Sequence, residues 1–354
     1  METNVLVTSD NIEYVKSIGA ETIDMVLTSP PYDALRTYEK SSSVDLHSLG
    51  KELYRVLKDG SFCVMVINDQ TKDYGKSLTT FKTTIDWCDN IGFKLFECVI
   101  YNRQGTEGAW WKGRFRVDHE YVLIFLKGKR PSIFNKEPLK IPSKHGGKTM
   151  TGANIRNSDG TRSGSRQVHI NELKCPGTVM DFGNTCGGES QLKSQHPAVF
   201  PNRLALDMVE CFSRPGEIVL DPFNGSGTTT LAAQSSGRRY IGIDISEEYT
   251  KIAERRHETE FIFRTPVQIN CSICEVSKPT VDFECDSKGF PITRFCRACS
   301  DSEMISGGQN MEQCASCRES YPKSLFYHYP LRFDEATGHR LSPKKKICLS
   351  CKES

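Results

Sequence analysis

Leu220-Asp221-Pro222-Phe223-Asn224-Gly225-Ser226-Gly227-Thr228 follows a short apolar run, Ile218–Leu220, and leads into a stretch read as the start of a helix. Gly225 and Gly227 let the backbone turn tightly and approach a ligand, whose polar tail can meet helix N-terminal amides. The stretch is not the dinucleotide fingerprint, because Thr230 stands where the third glycine would be. A second apolar run, Tyr240–Ile245, carries Asp244 near its end, where a carboxylate can accept hydrogen bonds from ribose hydroxyls. Together the loop and the acid predict a site for a nucleoside-bearing cofactor. Beyond Asp244, Ser246 reads as the N-cap of a helix with Glu247 and Glu248 in its first turn.

Upstream, apolar runs at Asn4–Val7, Asp24–Leu27, Ser61–Ile67, Leu95–Tyr101 and Glu120–Leu126 read as strands. Between them, Leu49, Leu53, Val56 and Leu57 set a helical period over Ser48–Leu57, ending at Lys58-Asp59-Gly60. A further helix is expected over Asn202–Ser213, followed by a turn at Arg214–Glu217. Strands alternating with helices predict a mainly parallel sheet covered on both faces.

Thr28-Ser29-Pro30-Pro31-Tyr32 closes the strand that begins at Asp24. Two consecutive prolines extend neither a sheet nor a helix interior, so this loop is rigid. It would hold Ser29, the Pro30 carbonyl and the Tyr32 ring in fixed mutual geometry. An exocyclic amino group needs acceptors for its hydrogens and a flat face for its base, and this loop supplies both.

The composition narrows the alternatives. The 354 residues are 37% hydrophobic and 25% charged, enough to bury a core. With 46 basic against 44 acidic residues, the net charge of +2 excludes coating nucleic acid by charge alone. The basic charge is local: residues 129–174 hold ten Lys or Arg against three acids. By composition that stretch is either a flexible linker or a basic insert that orders on a phosphate backbone. No apolar run approaches the roughly 20 residues that span a bilayer, and the N-terminus lacks the marks of a signal peptide. A cytoplasmic protein is expected.

Nine of the fifteen cysteines crowd into the last 84 residues, eight of them in four C-x-x-C pairs. Cys271, Cys274, Pro279 and Phe283 recur 43 positions later as Cys314, Cys317, Pro322 and Phe326. Each copy closes with a second pair, Cys296 with Cys299 and Cys348 with Cys351. Without an export signal this is metal spacing, and four thiolates per copy make a closed tetrahedral zinc site of the structural kind. Two small zinc modules, 266–310 and 311–354, are therefore expected. Such knuckles could bind DNA, bind a protein, or staple a small domain.

The order of these motifs resembles the permuted β class of S-adenosylmethionine-dependent amino-group DNA methyltransferases, in which the catalytic loop precedes the glycine loop, as Ser29 precedes Gly225 here. Further likeness lies in Glu52–Gly60, Trp110–Phe115 with His119–Tyr121, and His196–Pro201. The resemblance covers residues 1 to about 257 and leaves the cysteine-rich tail outside. It implies a Rossmann-like methyltransferase domain over 1–265, with a mainly parallel, circularly permuted sheet and a target-recognition insert near 129–180.

It also implies roles for individual residues. Ser29, Pro30, Pro31 and Tyr32 would clamp a flipped-out base. Asp10, Asp221, Pro222, Phe223, Gly225, Gly227, Thr228 and Asp244 would hold S-adenosylmethionine, although Ser9 replaces the glycine usual before Asp10. Serine before Pro-Pro-Tyr favours cytosine N4 over adenine N6. The lack of a Pro-Cys nucleophile beside the loop argues against cytosine C5 chemistry. DNA is the implied substrate and a cognate restriction endonuclease an implied partner. RNA or protein-glutamine methyltransferases also use a Pro-Pro-Tyr loop, but with Asn or Asp before it and after the glycine loop. The reading from another class is an inactive zinc-dependent DNA-binding or regulatory protein; intact Ser29, Tyr32, Gly225 and Asp244 count against it.

Overall fold

A computed structural model describes residues 1–31, 44–103, 115, 117–151, 157–161, 167–182 and 200–262. In the tail it describes 268–271, 274, 276–279, 283–285, 291–300, 311–313 and 320–322. By packing, the chain divides into two units: Met1–Lys140 with Cys175–Arg264, and Ile141–Lys174 with Thr265–Ser354.

The first unit is built on one eight-stranded sheet. Its strands are β1 (Val5–Thr8), β2 (Ile23–Thr28), β3 (Leu57–Ile67), β4 (Lys94–Asn102), β5 (His119–Leu126), β6 (Val179–Asp181), β7 (Ile218–Asp221) and β8 (Arg239–Asp244), in the spatial order β1-β8-β7-β2-β3-β5-β4-β6. All neighbours are parallel except β5, which runs against both β3 and β4. The helices are α1 (Asn11–Ser17), α2 (Leu46–Val56), α3 (Thr79–Asp86), α4 (Asn202–Phe212), α5 (Thr228–Ser235) and α6 (Glu247–Thr259).

Two cores form, one on each face of the sheet. Alternate residues of β2 show why: Met25 and Leu27 pack with Leu204, Met208 and Phe212 of α4 and with Leu231 of α5. Val26, from the opposite face, joins Val15 of α1 with Leu49 and Leu53 of α2. A strand covered on both faces has no polar side, and all six residues of β2 are buried. Such a doubly wound sheet gathers its loops at the carboxyl ends of the strands, where ligands bind in folds of this kind.

The expected strands and helices are present, with differences that have local causes. Lys58-Asp59-Gly60 was expected as a turn after α2; instead β3 starts directly at Leu57. The extra residues form a bulge, as the register jumps from Ile23–Leu57 to Met25–Phe62 and Gly60 takes φ +79°. Three elements had no clear sequence signal: seven-residue α1, three-residue β6, and α3 with the π turn Trp87–Ile91 that continues it.

The basic stretch is not uniform either. Phe134 stacks on Phe212 of α4, and Val179–Asp181 pairs with β4, so both flanks join the first unit. Between them, Thr149–Thr151 pairs antiparallel with Gln167–His169, and Ile141–Pro142 with Leu173–Lys174, inside the second unit. In the tail, three antiparallel hairpins are seen: Gln268–Asn270 with Ser277–Pro279, Phe283–Cys285 with Pro291–Cys296, and Met311–Gln313 with Ser320–Pro322. No helix among the described residues is long and apolar enough to cross a membrane.

Candidate active site and cysteine cluster

Four adjacent strands, β1, β8, β7 and β2, end side by side, and the sequence-predicted residues lie at their carboxyl ends. Asp221 ends β7 and is wholly buried. Its carboxylate accepts from Thr28 Oγ1 at 2.7 Å and from the Phe223 amide at 3.0 Å. Burial pushes its carboxyl up to about 6, against the pull of its hydrogen bonds to Thr28, Thr229 and Phe223. The Thr28 bond ties the strand end just before Ser29 to the entrance of the glycine loop. Thr229 makes a second tie, donating to the Leu27 carbonyl at 3.3 Å.

Asp244 ends β8 and organises the far side of the loop. One oxygen accepts from the Gly225 amide at 2.8 Å, the other from the Ser246 amide at 2.9 Å. Burial raises its pKa, while the amides of Ser246, Gly225 and Ile245 oppose that rise. The loop is largely self-satisfied: the Asn224 amide donates to the Ile243 carbonyl at 2.9 Å and the Gly227 amide to the Asn224 carbonyl at 2.7 Å. The amides of Phe223, Asn224, Gly225 and Gly227 are therefore all satisfied within this frame. Close approach of backbone, rather than a row of free N–H donors, is what these glycines provide.

Gly227 is required twice over. It sits at φ +79°, and a Cβ there would lie 2.8 Å from the Ala253 Cβ of α6. Gly227→Ala is expected to destabilise the protein by roughly 2–4 kcal/mol, summing left-handed strain and overpacking. A urea midpoint equal to that of the unaltered chain would contradict this packing.

The remaining predicted residues fall around this frame. Pro222 and Thr228 are buried and Phe223 is half-buried. Asp10 is exposed beyond β1, where one oxygen accepts from the Glu13 amide at 3.0 Å and caps α1. Pairing of Thr8 with Asp244 brings the ends of β1 and β8 level. Ser29 and Pro31 are half-buried and Pro30 is buried. Tyr32 lies outside the described residues.

Thr28, Asn224 and Arg256 belong to this frame and were not anticipated. Asn224 accepts at Oδ1 from Thr230 Oγ1 at 2.8 Å and fills the space above Gly242, where a Cβ would lie 2.6 Å from its Cγ. His257, next to Arg256, meets Thr230 Oγ1 at 3.0 Å through Nε2; burial, with Arg256 beside it, lowers its pKa to about 4. Spacing offered one clue to Arg256: with Ile252 and Ala253 it completes a buried face on α6.

Residues 23–255 match the family model described as DNA methylase, of the N6/N4 methyltransferase type. The chain belongs to the amino-group DNA methyltransferase family. This methyltransferase is similar to the orphan methyltransferase M.BamHII of Bacillus amyloliquefaciens, 35% identical over 68% of this chain and 91% of that protein. It is also similar to the DNA adenine methyltransferase YhdJ of Escherichia coli, 28% identical over 72% of this chain and 83% of that protein. Among solved structures it shares its fold with PvuII DNA methyltransferase (cytosine-N4-specific), with a TM-score of 0.55 at 20% identity over 72% of this chain and 86% of the other. The fold is therefore the Rossmann-like methyltransferase fold. Ser29 preceding Gly225 in the chain is the permuted motif order.

The tail of the methyltransferase carries a second constellation. Cys271, Cys274, Cys296 and Cys299 place their sulfurs within 4.8 Å of one another, though the first two lie between the strands of one hairpin, Cys296 ends a strand of the next, and Cys299 lies in a short helix. The Cys296 amide donates to Cys271 Sγ at 3.3 Å, and Lys278 Nζ lies 3.1 Å from Cys296 Sγ. Four thiolates around zinc, each about 2.3 Å from the metal, would sit about 3.8 Å apart, so this cluster fits such an ion. Donors to sulfur offset the negative charge that four thiolates would bring. Cys314, Cys317, Cys348 and Cys351 lie outside the described residues.

Proposed function

We propose that this protein methylates the exocyclic amino group of cytosine at N4 within a specific DNA sequence, using S-adenosylmethionine. The observation that carries this reading is the junction of the two loops: Ser29-Pro30-Pro31 leaves β2 next to the glycine loop, with Thr28 hydrogen-bonded to Asp221 between them. A loop that binds a base and a loop that binds a cofactor must be held at fixed separation for methyl transfer, since alignment supplies much of the acceleration.

When bound, S-adenosylmethionine supplies an electrophilic methyl group. Asp244 would accept hydrogen bonds from the ribose hydroxyls, Asp10 would contact the adenine, and Gly225, Gly227 and Thr228 would line the approach, with Pro222 and Phe223 shaping the loop entrance. Asp221 acts from beneath, through Thr28 and Phe223. A base inside duplex DNA cannot present its amino nitrogen to that methyl group, so it is flipped out. Tyr32 stacks on it, while Ser29 and the Pro30 carbonyl accept the amino hydrogens and turn the nitrogen lone pair toward the methyl carbon. No side chain acts as a nucleophile. The basic stretch 129–180 reads target DNA. The two cysteine units hold one structural zinc ion each, with Cys271, Cys274, Cys296 and Cys299 in the first and Cys314, Cys317, Cys348 and Cys351 in the second. A bacterial cytoplasm and pairing with a restriction endonuclease fit this reading.

Adenine N6 is the second reading, favoured by the name of the 28%-identical Escherichia coli relative, a DNA adenine methyltransferase. Incubating the protein with labelled S-adenosylmethionine and unmethylated DNA, then digesting to nucleosides, decides between them. N4-methylcytosine is expected; N6-methyladenine would replace the proposal with its rival. Cofactor binding without any methylated nucleoside would point to a regulatory DNA-binding protein.

A further inference from the structure

Helix α6 carries the charged run Glu254-Arg255-Arg256-His257, in which Glu254 and Arg255 are exposed while Arg256 is wholly buried. A buried guanidinium is costly, and an apolar side chain of similar volume would often serve stability as well. Its surroundings show what it does instead. Nη1 donates to the Ser226 carbonyl at 2.6 Å and to Thr228 Oγ1 at 3.2 Å, with Ser226 Oγ at 3.4 Å. Nε pairs with Glu260 at 2.8 Å, and Nη2 is buried without a hydrogen-bond partner among the described residues.

The Ser226 carbonyl belongs to the same peptide plane as the Gly227 amide. That amide donates to the Asn224 carbonyl at 2.7 Å. One plane is therefore clamped at both ends, by Arg256 on its oxygen and by Asn224 on its nitrogen. A flip of this plane turns ψ of Ser226 and φ of Gly227, and Gly227, at positive φ, accepts either backbone hand, so without the clamp the plane could turn over.

We propose that Arg256 is a positioning residue that locks the Ser226–Gly227 peptide, and so holds the glycine loop in the one shape that accepts the cofactor. The inference rests on the reading of this loop as the S-adenosylmethionine site. Lysine keeps the charge but cannot reach Ser226, Thr228 and Glu260 together; methionine removes every donor while keeping length.

The test uses the full chain with Arg256→Lys, Arg256→Met and Glu260→Gln, following S-adenosylmethionine affinity by calorimetry and exchange of the loop amides by mass spectrometry. Arg256→Met should bind the cofactor at least ~10-fold more weakly, the loss of a charged hydrogen bond, with Arg256→Lys between it and the unaltered chain. KM for the cofactor should rise while KM for DNA stays put, and amides 225–228 should exchange faster. Glu260→Gln keeps an oxygen acceptor for Nε and leaves the contacts to Ser226 and Thr228 in place, so affinity should stay within about threefold. Folded Arg256 variants with loop exchange and cofactor affinity as in the unaltered chain would overturn the proposal. Global unfolding of both would overturn it too, since the role would then belong to the core. If the unaltered chain fails to bind S-adenosylmethionine, the site reading falls, and loop exchange alone still tests the lock.

Discussion

Asp244→Ala is expected to weaken S-adenosylmethionine binding by about 10- to 100-fold, because each hydrogen bond to a charged group is worth about 1.5–3 kcal/mol. The carboxylate already anchors the Gly225 and Ser246 amides from one strand end, so its loss frees the loop as well as removing acceptors for the ribose. Asp244→Asn, which keeps one acceptor, should fall between. The pH dependence has a definite sign. Burial raises the Asp244 pKa, so the acceptor is lost at a higher pH than for an ordinary carboxylate. Affinity should hold at neutral pH and decline as pH falls through that raised value. Calorimetry across pH 5 to 8 measures both effects; a folded Asp244→Ala chain with unchanged affinity would remove Asp244 from the site.

Zinc removal should have the largest effect on the tail. Structural zinc sites in small domains contribute apparent free energies of about 10–16 kcal/mol, and units this small bury too little apolar surface to fold alone. Elemental analysis is expected to find close to two zinc ions per chain. A strong chelator should unfold the cysteine hairpins while cofactor binding survives. Cys274→Ser should release one ion and leave the other. If the units dock on DNA, chelation should also weaken DNA binding and flatten its salt dependence. A metal-free tail that keeps its hairpins would reject the ligand assignment.

What could be read from the chain before its structure was known follows from burial. Strands covered on both faces, such as β2 and β7, show as short apolar runs, Met25–Leu27 and Ile218–Leu220, with no alternation of polar and apolar residues. Short elements leave no such mark. Residues 179–181 form a strand only because β4 offers an edge, and α1 is held by the Asp10 cap more than by periodicity. The candidate site was legible where its frame demands a residue type, as at Gly227 and Asp244, and opaque where a common residue serves as scaffold. Thr28 looks like any strand residue until its hydroxyl is seen 2.7 Å from Asp221, and Arg256 looks like one more charge on a surface helix.

The split of the site between the two ends of the domain has a consequence for synthesis. Among the described residues strand β1 pairs only with β8, and β2 lies between β3 and β7, so two of the four strands that carry the candidate site wait for partners made last. At about 5–20 residues per second, some 200 intervening residues occupy a ribosome for roughly 10–40 s. During that time the nascent chain exposes the buried face of β2 without its neighbour. The candidate site cannot be complete until β8 and α6 emerge. A chain cut short before them would carry β2 and the start of the loop that follows it but neither Asp244 nor Arg256, and so only half of the candidate site.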